Sequence, residues 1–359
     1  MSRGLGDVYK RQIVDTLIEI IDIPSVTGDE DALCSMLADR FRDRQVRRIG
    51  NSLVVGGQPV DRPFYALYGH LDTVPEQGDP KARIEGDHVV GLGASDMKGG
   101  VAVMVELLED GDLDPAIDVV YVFYAAEEGA AADNELGPVL DACPWLTDAS
   151  LSVVLEPTDL HVEIGCNGVV NAEVIFRGAS AHSARPWLGV NAVTRAGRWL
   201  TKLDELEPDL VDIDGLEYRE VFSVTRASGG IANNIIPPEF RINLNHRFPP
   251  IYSIDEAVER VRAIASEADE VIIRDRAPAG GAAPDDPHVR RLEALAAMRG
   301  GRRQAKQGWT DVARLTERGA VAVNYGPGVV AQAHQVGEWV PAANLGVVFD
   351  VLREFLEDH

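Results

Sequence analysis

Residues 64–72 read FYALYGHLD, and this stretch decides the fold class. It is an apolar run that ends in polar residues, a pattern typical of a strand that is buried on both faces of a sheet. Two similar runs follow at 119–128 (VVYVFYAAEE) and 151–157 (LSVVLEP), and a helical pattern (GGVAVMVELLE) occupies 99–109. Because strands and helices alternate in this way, we predict an α/β fold with a mostly parallel sheet that helices flank.

The pattern changes in the middle of the chain. Apolar and polar residues alternate at 169–178 and 240–248, which is typical of strands that are covered on one face only. Beyond this region the first type of pattern returns. We therefore predict one α/β domain, formed by residues 1–165 and 276–359, and an inserted α+β domain with an open antiparallel sheet, formed by residues 166–275.

Local signals indicate where some helices begin. TGDE at 27–30 and SIDE at 253–256 both read as capping boxes, in which two side chains and two backbone amides of the first turn bond reciprocally. Apolar residues at helical spacing first occur at Ile13. We therefore expect the first helix to begin there and residues 1–12 to form a loose extension.

The composition excludes several classes of partner. The 359 residues include 58 acidic and 34 basic ones, which gives a formal charge of -24 at pH 7. This acidity argues against nucleic acids and anionic membranes, which require a basic face, so we expect neither as a partner. The apolar runs are far shorter than the roughly 20 residues of a membrane-spanning helix. The first residues have no apolar core like that of a signal peptide, so we predict a cytoplasmic protein.

Acidic residues and histidines follow the predicted strands at their carboxyl ends, precede the helical pattern, or lie in a late polar loop. The set is His70, Asp72, Asp96, Glu127, Glu128, Glu156 and His334. Open α/β sheets bind ligands at the carboxyl ends of their strands, so we expect these side chains to lie close together. Taken singly, each could instead be a buried histidine, a helix cap or a solvated strand end.

These residue types favour a metal centre. Two histidines and several carboxylates suit Zn²⁺ or a similar first-row ion. Two histidines, one aspartate and two glutamates make five ligands. This number exceeds what one catalytic zinc with an open position takes, but it suffices for two zinc ions that share a bridging carboxylate. The remaining glutamate can then act as a base toward water.

The order of the motifs gives a resemblance to a known family. HLD at 70–72, SDMKGG at 95–100, EEG at 127–129, Glu156 and a late His334 follow one another as in the co-catalytic zinc aminoacylase/carboxypeptidase family. The chain resembles this family over nearly its whole length. The resemblance implies a binuclear zinc amidohydrolase.

The resemblance also implies a ligand set for two zinc ions in each chain, which Co²⁺ can replace. His70, Asp96 and Glu156 would hold one ion. Asp96, Glu128 and His334 would hold the other ion, so the Asp96 carboxylate would bridge the two.

Further roles follow from the same resemblance. Asp72 would orient His70, and Glu127 would be the general base and later the acid. The Asp96–Met97 peptide would be cis. The α/β domain would be the zinc catalytic domain, and the inserted domain would be a lid and a dimerisation domain of a homodimer. From it, His182 would reach the site of the partner subunit and stabilise the oxyanion.

Other segments are similar to the substrate contacts of the family. They contribute Asn233, Asn234, Arg247, Thr310 and Gly326. The likeness is greatest to the branch that cleaves N-succinyl-LL-2,6-diaminopimelate into succinate and LL-2,6-diaminopimelate, a step of lysine and peptidoglycan precursor synthesis. The alternative is an N-acetylornithine deacetylase, or another N-acyl amino acid deacylase or carboxypeptidase. A non-catalytic metal- or ligand-binding relative is a second alternative.

Overall fold

The computed structural model describes residues 3–60, 62–76, 78 and 81–357, and of residues 3–10 it describes the backbone. The chain divides into two compact units. The first comprises Met1–Gly165, Ala282–Gln304 and Thr310–His359, and the second comprises Cys166–Gly281 and Ala305–Trp309. The chain thus leaves the second unit slightly later than residue 275 and returns to it for one short segment. The catalytic role of one unit and the lid role of the other stay predictions.

Helices and strands alternate in the first unit, and strands dominate the second. The α-helices are α1 (Arg3–Ile21), α2 (Asp31–Arg40), α3 (Lys98–Glu109), α4 (Leu136–Ala142), α5 (Ala192–Asp204), α6 (Ile254–Ile264), α7 (Pro287–Ala297), α8 (Val312–Glu317) and α9 (Ala342–Glu357). The strands are β1 (Val46–Ile49), β2 (Ser52–Val55), β3 (Phe64–His70), β4 (Arg83–Glu85), β5 (His88–Val90), β6 (Asp118–Tyr124), β7 (Leu151–Val154), β8 (Val162–Ile164), β9 (Gly168–Arg177), β10 (Asp209–Ile213), β11 (Leu216–Gly229), β12 (Glu239–Phe248), β13 (Glu270–Ala277), β14 (Arg303–Ala305), β15 (Ala322–Asn324) and β16 (Trp339–Pro341). Within the described part of the chain, no helix has both the length and the apolar character that crossing a membrane requires.

The described residues of the first unit form an eight-stranded sheet with the order β1-β2-β6-β3-β7-β15-β8-β14. The central neighbours β6, β3, β7 and β15 are parallel, whereas β1, β2 and β8 pair antiparallel nearer the edges. Every residue of β3 is buried, as an apolar run predicts. The predicted α/β fold class is therefore confirmed.

Helices cover both faces of this sheet. Tyr68 belongs to a buried cluster with Leu136 and Val139 of α4. The next strand residue, Gly69, lies against α3, where an added Cβ would meet the Met104 sulfur at 3.0 Å. Because successive strand residues point to opposite faces, α3 and α4 cover different sides of the sheet. The sheet is thus enclosed between helices, which explains the continuous apolar runs of its central strands.

The second unit is an antiparallel sheet with the order β10-β11-β12-β9-β13. Helices α5 and α6 pack on it and enclose a core that includes Val174, Phe176, Trp199, Leu244 and Val258. In the middle of β9 the core residues Ala172 and Val174 alternate with the partly exposed Asn171 and Glu173. The predicted inserted α+β domain with an open antiparallel sheet is therefore confirmed as a fold.

The first helix is longer than the sequence suggests. It begins at Arg3 rather than at Ile13, so residues 3–12 do not form a loose extension, and that expectation was wrong. Few apolar residues mark this part of the helix. Once the first turn is formed, however, each further residue that is fixed adds one backbone hydrogen bond, so a helix can extend beyond the residues that carry the apolar pattern.

The two expected capping boxes have different outcomes. At 253–256 the box forms, because the Ser253 side chain accepts from the third residue and the Glu256 side chain accepts from the cap. At 27–30 it does not form. There Glu30 is the N-cap residue of α2 and makes no side-chain cap bond among the described residues, while Thr27 Oγ1 donates to a carboxylate far along the chain.

Candidate metal centre

Parallel strands of the first unit end side by side and carry several of the predicted ligands. His70 is the last residue of β3 and pairs in register with Tyr124, the last residue of β6. Glu127 and Glu128 follow β6 closely, and Glu156 follows β7. The parallel arrangement therefore brings these side chains to one edge of the sheet.

Asp96 lies in the turn before α3, and His334 lies in the loop before β16. One Asp96 carboxylate oxygen is 3.2 Å from Nε2 of His70, and the other is 3.6 Å from Nε2 of His334. A Glu128 carboxylate oxygen is 3.0 Å from the same His334 nitrogen. This hydrogen bond raises the pKa of His334 to about 9. Asp96 thus faces both histidines, one with each oxygen.

The described side chains form three groups of potential metal ligands. His70, Glu127 and Glu128 form one of them, and the other two share Asp96. The first of these two comprises His70, Asp96 and Glu156. The second comprises Asp96, Glu128 and His334, and in each group the ligand atoms lie within 4.8 Å of one another. Imidazole nitrogens and carboxylate oxygens are a donor set that zinc and similar first-row ions take. The residues present therefore fit two ions that share a carboxylate.

Asp72 contacts three of the residues that surround the candidate metal centre. Its carboxylate accepts hydrogen bonds from the amides of Glu127 and Glu128, at 3.0 and 2.9 Å, and from Thr27 Oγ1 at 2.9 Å. Nδ1 of His70 lies 3.0 Å from the Asp72 carbonyl oxygen and 3.5 Å from its carboxylate. Burial opposes ionisation, but the hydrogen bonds from His70 and the two amides outweigh it and lower the pKa of Asp72. The carboxylate is thus a fixed negative charge.

Glu127 has the electrostatic setting of a proton-transfer group. Desolvation raises the pKa of its carboxyl group well above the usual value. The charge of His70 opposes this shift, whereas the charges of Glu156 and Asp311 add to it. A carboxyl group with a raised pKa can accept and return a proton near neutral pH, as a general base and acid must.

Two buried acids near the centre were missed in the sequence. Glu338 accepts hydrogen bonds from backbone amides of the turn that carries Asp96, whose Asp96–Met97 peptide is cis, as expected. Asp311 accepts from Asn134 Nδ2 at 2.9 Å. Glu338 could have been noticed as an acid next to an apolar strand near a candidate ligand, since such an acid needs a partner when buried.

Thr310 and Gly326 also lie in the first unit, and both are buried. The Gly326 amide donates to Thr158 Oγ1 at 3.1 Å, and Thr158 donates back to the Gly326 carbonyl at 3.0 Å. An added Cβ at Gly326 would meet the Glu156 carbonyl oxygen at 2.4 Å. Gly326 thus permits close packing of the segment after β7, and its contact with substrate stays a prediction.

The remaining predicted site residues belong to the second unit. His182 forms an isolated antiparallel bridge with Ile235, so its backbone lies beside the segment with Asn233 and Asn234, and its side chain is exposed. Arg247 lies on the half-buried face of β12, where its Nε donates to Asn245 Oδ1 at 3.1 Å. Their roles toward substrate stay predictions.

Comparisons with known sequences agree with this arrangement. Residues 66–358 match peptidase family M20/M25/M40. The chain is 36% identical to a Mycobacterium tuberculosis protein that is provisionally named succinyl-diaminopimelate desuccinylase DapE, over 96% of this chain and 97% of that one. It is 32% identical to the succinyl-diaminopimelate desuccinylase of Corynebacterium glutamicum, over 94% of each chain. An acetylornithine deacetylase of Myxococcus xanthus is 31% identical over 84% of this chain and 82% of its own.

Solved structures share the fold at low sequence identity. A tripeptidase of Staphylococcus aureus has a TM-score of 0.77 at 20% identity, over 97% of this chain and 98% of that one. The YXEP protein of Bacillus subtilis, described as a dinuclear metal binding peptidase, has a TM-score of 0.67 at 15% identity, over 98% of both chains. The matched family residues and the relatives that align over nearly the whole chain confirm the resemblance seen in the motifs. The chain belongs to peptidase family M20/M25/M40.

Proposed function

We propose that this chain is a metal-dependent amidohydrolase that cleaves N-succinyl-LL-2,6-diaminopimelate into succinate and LL-2,6-diaminopimelate. The reaction belongs to lysine and peptidoglycan precursor synthesis. The full-length relatives of Mycobacterium tuberculosis and Corynebacterium glutamicum support the substrate. The observation that carries the chemistry is the pair of ligand groups that share Asp96, with Glu127 beside them.

The metal part of the proposal concerns two zinc ions, which Co²⁺ can replace. His70, Asp96 and Glu156 would hold one, and Asp96, Glu128 and His334 would hold the other. When bound, such ions supply Lewis acidity that lowers the pKa of water and polarises the amide carbonyl. The two doubly charged ions would outweigh the carboxylates of Asp96, Glu128 and Glu156 by about one positive charge, which suits an anionic substrate in an otherwise acidic chain.

The protein side chains would then move the proton and place the substrate. Glu127 would take a proton from the attacking water and return it to the leaving amine. His182 would donate a hydrogen bond to the oxyanion. The guanidinium of Arg247 offers a two-pronged contact for a substrate carboxylate, and Asn233, Asn234, Thr310 and Gly326 would complete the substrate contacts.

We include a homodimer in the proposal, with His182 acting on the site of the partner subunit. Large apolar side chains on the second unit support it, since Trp187 is 75% exposed, Leu188 67% and Ile231 72%. Trp187 and Leu188 are neighbours in the chain, and contiguous exposed apolar side chains commonly mark an interface. The cytoplasmic location that the sequence predicts also stays part of the proposal.

A second candidate keeps the chemistry and changes the acyl group. The acetylornithine deacetylase of Myxococcus xanthus supports an N-acetyl amino acid as substrate. A non-catalytic relative is less well supported, because Glu127 is retained beside both ligand groups.

The test is a measurement of succinate and acetate release from a panel of N-acyl diamino acids, with zinc present and after chelation. We expect succinate release from N-succinyl-LL-2,6-diaminopimelate at the highest kcat/KM, and its loss on chelation. Faster release of acetate from N-acetylornithine would replace the proposal by the second candidate. Two bound zinc ions without hydrolysis of any member of the panel would favour a binding protein.

A further inference from the structure

Glu338 joins the two segments that carry Asp96 and His334. The residue is 2% exposed, and its carboxylate faces the backbone of the turn before α3. Oε2 accepts from the Gly93 amide at 2.8 Å, and Oε1 accepts from the amides of Ser95 and Asp96, at 2.7 and 2.8 Å. One side chain therefore satisfies three backbone donors of a single turn.

Ser95 fastens the same two segments with further hydrogen bonds. Its Oγ donates to the Trp339 carbonyl at 2.8 Å and accepts from the Val329 amide at 3.0 Å. Trp339 also pairs with Val90. Strand β5, which precedes the turn, therefore adjoins strand β16, which follows the loop. The position of the turn relative to the loop is thus determined by buried side-chain hydrogen bonds.

His334 lies four residues before Glu338, in the loop before β16. The turn before α3 carries Asp96, so the contact between Asp96 and His334 joins the turn to the loop. Nε2 of His334 is 3.6 Å from an Asp96 oxygen. A displacement of the loop would change this distance directly. Because metal–ligand distances are defined to within about 0.2 Å, even a small displacement weakens the binding of an ion.

We propose that Glu338 is a positioning residue that sets the distance between Asp96 and His334 and thereby the affinity of the second metal position. The inference rests on the proposed function, because that function assigns both residues as ligands. Without its carboxylate, three largely buried amides would lack an acceptor, and the turn would rearrange to satisfy them. Substitution of a side chain that positions metal ligands typically lowers metal affinity by about 10- to 100-fold.

The experiment titrates the metal-free full-length protein with Zn²⁺ and, separately, with Co²⁺. Glu338→Gln keeps one oxygen acceptor, whereas Glu338→Ala keeps none. For the second ion we expect affinity losses of about 10-fold in Glu338→Gln and about 100-fold in Glu338→Ala, with the first ion affected less. The visible absorption spectrum of the Co²⁺ form should change in the same order, because it reports coordination geometry.

Asp110→Asn is the matched control. Asp110 is a buried carboxylate that accepts from Arg353 and from the Asp112 amide beyond the opposite end of α3. A folded Glu338→Gln protein with unchanged second-ion affinity and an unchanged Co²⁺ spectrum overturns the inference, and so does an equal loss in the control. Two bound ions in wild-type protein without amide hydrolysis would instead contradict the proposed function, while the titration would still decide the role of Glu338.

Discussion

Asp72 shows what a motif can predict about a single residue. From the sequence, its carboxylate is expected to orient His70. In the structure the Asp72 carbonyl oxygen is nearer to His70 Nδ1, at 3.0 Å against 3.5 Å, and the carboxylate accepts from the amides of Glu127 and Glu128. The spacing in a motif predicts which residues are neighbours. It does not predict which atom faces which partner, because that depends on the path of segments distant in the sequence.

Glu127→Gln tests the assignment of the general base. The amide has the same shape as the carboxylate but cannot take a proton from water, so we expect kcat to fall by at least about 10²- to 10⁴-fold. Neither proposed ion uses Glu127 as a ligand, so both should remain bound. Metal content by mass spectrometry and steady-state kinetics give the two readouts.

Glu163→Gln provides the control, since Glu163 is a buried acid of β8 that accepts from Gln304 at 2.9 Å. Its kcat should stay close to that of the wild-type protein. Loss of one ion from Glu127→Gln would make Glu127 a ligand, which its proximity to His70 and Glu128 also permits. Activity near the wild-type level would assign the base to another group.

At the scale of elements, the two capping boxes show where local sequence is sufficient. SIDE at 253–256 begins α6 as predicted, because no other partner competes with its reciprocal bonds among the described residues. TGDE at 27–30 has the same pattern, yet Thr27 donates to Asp72. In a capping box the Thr27 oxygen would accept from a backbone amide, whereas here the hydroxyl donates to the buried Asp72 carboxylate, and hydrogen bonds to a charged acceptor are stronger than those between neutral groups. Long-range partners thus override local signals near the centre, while the apolar runs of the central strands were sufficient to predict the sheet.

Glu220 in β11 supports a prediction about the stability of the second unit. It is 2% exposed and accepts from His246 Nε2 at 2.7 Å and from Arg260 Nε at 2.6 Å. Burial opposes ionisation, but these hydrogen bonds outweigh it and lower the pKa of Glu220. A pKa that is lower in the folded state stabilises the fold above the unfolded value of about 4.3, and this contribution is lost as the pH falls through the folded value.

We therefore expect Glu220→Gln to reduce the free energy of local opening around β12 by about 1–3 kcal/mol at pH 7, and by progressively less at acidic pH. Hydrogen exchange of β12 amides at several pH values measures this energy. Glu217→Gln is the control, because Glu217 lies on the same strand with an exposed side chain. A difference from wild type that stays constant down to pH 3 would mean that shape, and not charge, accounts for the effect.

At the scale of the whole molecule, the sequence predicted the two larger sheets, but it predicted neither the three-stranded sheet β16-β5-β4 nor every segment of the two units. Residues 305–309 begin with the last residue of β14 and belong to the second unit, although residues 303 and 304 of that strand belong to the first. The Lys306 carbonyl accepts from the Asn167 amide at 3.2 Å, and Trp309 Nε1 donates to the Pro278 carbonyl at 3.1 Å. These contacts join residues far apart in the sequence, so no periodicity within the segment could indicate them.

The homodimer and the role of His182 make one prediction together. Glu127→Gln and His182→Ala should each be nearly inactive as homodimers. If His182 acts on the partner subunit, a mixed dimer contains one site that lacks both groups and one site that has both. Equal amounts of the two variants, unfolded and refolded together, give about half mixed dimers, so we expect roughly a quarter of the wild-type activity to return.

The result separates two arrangements that leave the single variants equally inactive. When His182 serves its own chain, each subunit of a mixed dimer lacks one essential group, and no activity returns on mixing. A monomer in sedimentation measurements would give the same kinetic result, so the sedimentation coefficient has to be measured on the same sample. Activity that rises with the fraction of mixed dimers therefore requires a dimer in which His182 acts on the site of the partner subunit. A dimer without this arrangement cannot form a complete site from two incomplete chains.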